Sequence, residues 1–136
     1  MDPWRLPDVE RLIGQDLESL LADRAITATV GLGVPTGWTP TSTPHVTVNL
    51  DGTPHNDHPV AAYCSVRFVA RANGIAATKL LASQCEALLL QSSTDDLPRR
   101  KTLIGPMPSR DPDTGHDICW FTLRVTARLV AMPVGP

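Results

Sequence analysis

Residues 117–131, DICWFTLRVTARLVA, form the longest alternation in the chain. Cys119, Phe121, Leu123, Val125, Ala127 and Leu129 fall on one parity; Trp120, Thr122, Arg124, Thr126 and Arg128 fall on the other. Successive side chains of an extended strand project to opposite faces, so the pattern predicts a strand with one face in a core and the other polar. A second run, VAAYCSVRFVARA at 60–72, repeats it: Cys64, Val66, Phe68 and Ala70 share one face, and Tyr63, Ser65, Arg67, Val69 and Arg71 the other. Two long half-buried strands need a layer of other elements over their apolar side.

Two segments have helical spacing. Val9, Leu12, Ile13, Leu17, Leu20 and Leu21 recur at steps of three and four behind Pro7 and Asp8, which suit a helix start. GIAATKLLASQCEALLLQ, 74–91, follows Asn73, the expected N-cap. Ala77, Leu81, Cys85 and Leu88 occupy one side of this helix, and Ile75, Ala82 and Leu89 another. Only a narrow polar strip of Lys79, Ser83 and Glu86 remains. A helix apolar over most of its circumference requires cover on more than one side, either from the sheet and the first helix or from the sheet and a neighbouring subunit.

AITATVG (25–31) and HVTVNLDG (45–52) read as strands, the second closed by an Asp51–Gly52 turn and antiparallel to 60–72. KTLIG (101–105) reads as a short strand after a loop at 92–100. Three stiff polar segments are expected as loops: 32–44, with three prolines, two glycines and Trp38; 52–59; and 105–117. The order α-β-β-β-α-β-β predicts an α+β fold, with an antiparallel or mixed sheet of about five strands and two helices on one face. At 136 residues one domain, 1–136, accounts for the chain.

Bulk properties exclude several classes. A net charge of −2 lacks the basic excess of a nucleic-acid binder, and no apolar run is long enough to span a bilayer. The opening MDPWRLPDVE has no basic region followed by an apolar stretch, so folding in the cytoplasm is expected. Cys64, Cys85 and Cys119 are widely spaced, odd in number and on apolar parities, as buried free thiols would be.

No catalytic constellation stands out. DPDTGHD (111–117) starts like a calcium loop, but Gly115 comes at position five rather than six, and Thr122 stands where a bidentate Glu is needed. HNDH (55–58) sets two imidazoles around Asp57, so a small metal-dependent enzyme using His55 and His58 is a distinct alternative; the stretch lacks the helical HExxH arrangement. GxSxG, P-loop and GxGxxG patterns are missing. PRRK (98–101), beside Asp95 and Asp96, reads as a solvated turn, with contact to a phosphate or an acidic partner surface as the alternative. Trp4 is expected to staple onto the first helix. Trp38 is open between an interface role and folding back over the domain edge.

The succession of an opening amphipathic helix, a Pro-rich loop into PHVTVNLDG, the VRFVARA strand, the helix AATKLLASQCEALLL and IGPMPSRDPDTGHDICWFTLRVTARL resembles the tail terminator proteins of long-tailed bacteriophages, especially those of actinobacteria. The resemblance covers roughly residues 5–130. It implies a structural α+β domain without cofactor, metal or catalytic residue. Such a domain would form a hexameric ring in the virion, capping the tail tube, ending its growth and joining it to the neck connector, with non-specific DNA passage through the hole. A head-completion or stopper protein of the neck is the nearest alternative. Trp38, His55, Asp57, Arg110, Asp111 and Asp113 on the loops, and Lys79 and Glu86 on the second helix, are the candidate contact residues. Arg124 and Arg128 are open between a lumen-facing role and pairing with acids of a neighbour.

Overall fold

The structure is a computed structural model and describes residues 4–52, 55–58 and 61–132, with only the strand pairing described for 55–58. Helix α1 spans Val9–Asp23 and buries Val9, Ile13, Leu17 and Leu21. Its first turn is capped by Asp8, whose carboxylate accepts the Arg11 N–H at 3.3 Å. The helix closes by a turn in which the Ile26 N–H reaches back to the Leu21 carbonyl, with Ala25 at φ 55°. That reversal takes up 24–28, so the strand expected over 25–31 shrinks to Thr29–Gly31. Numbered in chain order after the two-residue strand β1 (Trp4–Arg5), it is β2.

Strand β3 (His45–Leu50) runs parallel to β2 and antiparallel to β5 (Ala61–Arg71). The segment 52–59, expected as a loop, contains a further strand, β4 (His55–His58), which pairs with the start of β5 across a bulge. After helix α2 (Ile75–Gln91), strands β6 (Arg99–Arg110) and β7 (Asp117–Arg128) form a long hairpin. The sheet order is β2-β3-β5-β7-β6, with β4 beside β5 off that path. Trp4, expected to staple onto α1, lies in β1 opposite Ala131 of β8 (Val130–Ala131) and stays 45% exposed; these two strands make a separate small sheet. The α+β class, the two helices and the mixed sheet are as the sequence predicts.

Two corrections concern the second half. Asn73 is not the cap of α2. Gly74 occupies that position at φ 89°, and Thr78 organises the start by donating to the Gly74 carbonyl at 2.7 Å while accepting the Ala72 N–H. Residues 105–110, expected as part of a loop, belong to β6. Pro106 and Pro108 are compatible with a strand there because β6 is an edge, paired only with β7, and register shifts between Thr102, Ile104 and Met107 absorb the irregularity.

The core lies between the helices and one face of the sheet. Val46 and Val48 of β3, Cys64, Val66, Phe68 and Ala70 of β5, and Cys119, Phe121, Leu123, Val125 and Ala127 of β7 are buried against both helices. Phe68 and Phe121 stack at its centre, with ring centroids 4.8 Å apart and planes 7° from parallel. The strict alternation of β5 and β7 is what aligns these residues across ten successive cross-strand pairs.

Candidate functional site

Three of the segments singled out in the sequence converge at one end of the sheet. β5 ends at Arg71, opposite His45 at the start of β3, and the β6–β7 turn lies beside them. In that turn the Asp111 carboxylate accepts the Asp113 N–H at 2.8 Å and the Arg71 guanidinium at 2.7 Å. The two interactions hold the Asp111 carboxyl below its usual range, the Asp113 amide contributing most. The Gly115 N–H bonds to the Asp111 carbonyl and the Asp111 N–H to the His116 carbonyl, with Gly115 at φ 74°. DPDTG is therefore a tight turn whose first acid faces inward to an arginine.

Trp38 packs edge-on against His116 of this turn, with centroids 5.9 Å apart, and its indole N–H donates to the Thr43 carbonyl at 2.8 Å. It is half-buried, so the open question about this tryptophan resolves toward folding back over the domain edge. The loop 32–44 is pinned along its length. The Gly33 carbonyl accepts from His45 Nε2 at 2.8 Å, and the Leu32 carbonyl accepts from Asn49 at 3.1 Å. Since a carbonyl only accepts, Nε2 carries the proton and Nδ1 accepts from the Thr29 hydroxyl at 2.6 Å. Burial lowers the His45 pKa, opposed by the Gly33 hydrogen bond and reinforced by Arg71. In the sequence His45 is open only to the same metal-ligand test as His55, His58 and His116; its buried role at the start of β3 carries no sequence signal.

Arg110 and Asp113 remain exposed on the hairpin end; Arg110 lies 3.9 Å from Asp117. Lys79 of α2 is exposed, and its charge opposes the burial that raises the Cys119 thiol. Glu86 faces β6 and accepts from the Thr102 hydroxyl at 3.1 Å. His55 and Asp57 fall within β4, but their side chains lie outside the described residues, as does that of His58. Among the described residues no three His, Cys, Asp or Glu side chains gather for a metal. All three cysteines are free and buried, with Cys85 pushed up to about 12, which makes it a packing residue rather than a nucleophile.

The outer surface of α2 is its most informative part. Thr78, Leu81, Ala82, Cys85 and Leu89 face the core. Ala77 and Leu88, expected on an apolar side, are respectively exposed and half-buried. Ala76, Leu80, Ser83, Ala87 and Leu90 are all exposed, and their steps of four, three, four and three place them on one stripe. Leu80 keeps 59% of its surface open and Leu90 40%. Small residues alternate with leucines along the stripe, so a partner could approach closely.

The helix-free face of the sheet is polar and cationic. The Arg67 guanidinium lies 4.5 Å from the Trp120 ring centroid, and that of Arg124 3.7 Å from Tyr63. At the other end of the molecule Arg100 crosses under the helices to Asp16, 2.6 Å away, and donates to the Leu89 carbonyl at the end of α2. This is the fate of the central arginine of PRRK; Arg99 and Lys101 on either side of it are exposed.

The arrangement defines a class: an α+β domain whose second helix carries an uncovered apolar stripe. Comparison adds no family to it, since no protein-family model and no curated protein matches the chain.

Proposed function

We propose that this chain is a structural virion protein that forms a ring on the end of a phage tail tube, stops its elongation and joins the tail to the neck connector. The order of elements carries the resemblance to tail terminators. The single observation that carries the reading in physical terms is the exposed stripe Ala76, Leu80, Ser83, Ala87 and Leu90 on α2. Exposed leucines set among small residues on a packed helix, with Ser83 the one polar member of the stripe, suit a surface that another chain covers. Ring neighbours supply such cover repeatedly, because each copy both offers and receives a contact. The half-buried Trp38, the pinned loop 32–44 and the tight 111–116 turn form a preorganised rim at one end of the sheet. A rim already held in place loses little entropy on docking to a tube or a connector.

Electron microscopy of the protein alone and mixed with tail tubes is the direct test. Rings seated on tube ends are expected, and tubes polymerised in the protein's presence should stop at fixed lengths. Copurification with tail tube protein, rather than with a portal–adaptor complex, separates a terminator from a stopper. Protein that stays monomeric on assembled tails overturns the reading.

A further inference from the structure

The two lateral edges of the sheet differ in both charge and shape. On one side, β6 has no strand beyond it, and an open cavity of about 910 Å³ lies where it meets the end of α2. Leu90, Ser93, Arg99, Lys101 and Arg124 line the cavity, and no carboxylate does. Arg99 and Lys101 make no ion pair among the described residues. Leu103, Ile104 and Met107 continue the exposed apolar surface along the same strand. Pro106 and Pro108 remove two backbone donors from it, and cationic side chains discourage simple strand addition. A contact here is therefore made by side chains.

On the other side, a smaller groove of about 240 Å³ runs between α1 and β2. Gly14, Val30 and Val48 give it an apolar floor, and Asp8, Glu10 and Glu18 an acidic rim. Gly14 leaves the helix surface low there: a Cβ added to it would already stand 3.8 Å from Val30. Arg11, the one cation of the lining, pairs with Asp8 at 3.7 Å, so the net acid of the rim is carried by Glu10, which also accepts the Leu50 N–H at 2.9 Å, and by Glu18. Leu32, which also lines the groove, is exposed.

We infer that copies of this chain associate head to tail, the cationic β6/α2 edge of one seating on the acidic α1/β2 groove of the next. The inference rests on the ring-forming reading above and names its contact. Both surfaces combine apolar area with charge, and the charges are of opposite sign. They lie on opposite edges of one sheet, so a single copy cannot satisfy both internally. A two-fold dimer through either edge would oppose like charges. Head-to-tail contact avoids that and generates a closed ring when the rotation per subunit closes.

Charge reversal on each edge tests it. Arg99→Glu with Lys101→Glu alters the cationic edge, and Gln15→Lys with Glu18→Lys the acidic one; all four side chains are exposed, so both variants should keep the wild-type circular dichroism and melting temperature. In sedimentation, wild type is expected to run as a multi-subunit species and each variant alone as a monomer. An equal mixture of the two variants should recover the wild-type mass, because opposite charges again meet at every contact. Variants that assemble like wild type, or a mixture that stays monomeric, overturn the proposed contact while leaving the ring reading standing. Wild type that remains a monomer at its highest soluble concentration and on tail tubes overturns both. Inorganic phosphate that binds the wild type through Arg99 and Lys101, with no change in mass on reversing them, makes the edge an anion site and also overturns the contact.

Discussion

Arg71 and Asp111 lie 2.7 Å apart, joining the end of β5 to the β6–β7 turn with side chains only 11% and 14% exposed. The pairing turns an otherwise projecting hairpin end into part of the folded domain. Asp111 also caps its own turn through the Asp113 amide, so one carboxylate fixes both the shape of the turn and its position.

Replacing Asp111 by Asn should therefore cost about 2 kcal/mol, the scale of a hydrogen bond to a charged group. Arg71 Nε has no partner among the described residues, so little else described nearby takes up the loss. The folded-state pKa of Asp111 is depressed, which means the carboxylate adds stability above the unfolded value and loses it as pH falls through the folded one. Urea denaturation of wild type should show stability declining below about pH 4. The Asp111→Asn curve should be flatter over that range. Equal slopes for the two proteins would show that the pair does not hold the turn.

His45 gives a second pH dependence, higher on the scale. Its folded-state pKa is lowered, chiefly by burial, so the fold favours the neutral ring. Stability is complete above the unfolded value of about 6.5 and is lost as pH falls through it toward the folded value. Protonating Nδ1 would turn it from acceptor to donor, so the Thr29 hydroxyl would have to rotate toward the Pro44 carbonyl, 3.4 Å away. The midpoint of urea denaturation should drop between pH 7 and pH 5 in wild type and much less in His45→Asn.

Much of this architecture was legible because β5 and β7 alternate without interruption and α1 repeats its apolar residues every three or four positions. Burial on one side leaves that imprint directly in sequence. What was hidden has local causes. The extension of β6 through 105–110 was masked by Pro106 and Pro108, which an edge strand tolerates and an interior one does not. The start of α2 looked like a side-chain cap at Asn73, whereas a left-handed Gly74 and the hydroxyl of Thr78 make it. At the candidate site, Trp38 and Asp111 were visible as residue types, but their respective partners, His116 of the β6–β7 turn and Arg71 of β5, lie far from them in sequence, and no spacing rule connects them. The stripe on α2 was legible only as an excess of apolar residues; which of them face outward depended on where the helix sits on the sheet.

The stacked pair Phe68 and Phe121 should dominate the stability of the core. Both are fully buried, on neighbouring central strands. Phe121→Ala removes a ring from between the sheet and α2 and should cost about 3–5 kcal/mol. Phe121→Leu, which refills most of the volume, should cost well under half of that. Chemical denaturation of both variants measures the difference, and similar losses for the two would mean that the surroundings cannot close around the smaller cavity.

Arg100 and Asp16 make the sharpest case for asymmetry. The Arg100 side chain has no exposure, its Nη1 meets Asp16 at 2.6 Å and the Leu89 carbonyl at 3.2 Å, and its Nε and Nη2 have no partner among the described residues. Ser92 also donates to Asp16, at 3.2 Å. The pair thus ties α1, the end of α2 and β6 together, but with the guanidinium incompletely satisfied. Deleting the acid alone leaves a buried, uncompensated charge, so Asp16→Ala should cost about 3–5 kcal/mol. Removing the charge as well should relieve most of that, since well-packed apolar residues replace buried ion pairs at little loss. Arg100→Met combined with Asp16→Leu is therefore expected to be more stable than Asp16→Ala by at least about 2 kcal/mol. A double variant no more stable than the single one would mean that Arg100 acts by positioning the end of α2 through the Leu89 carbonyl, and that its charge is not the source of the cost.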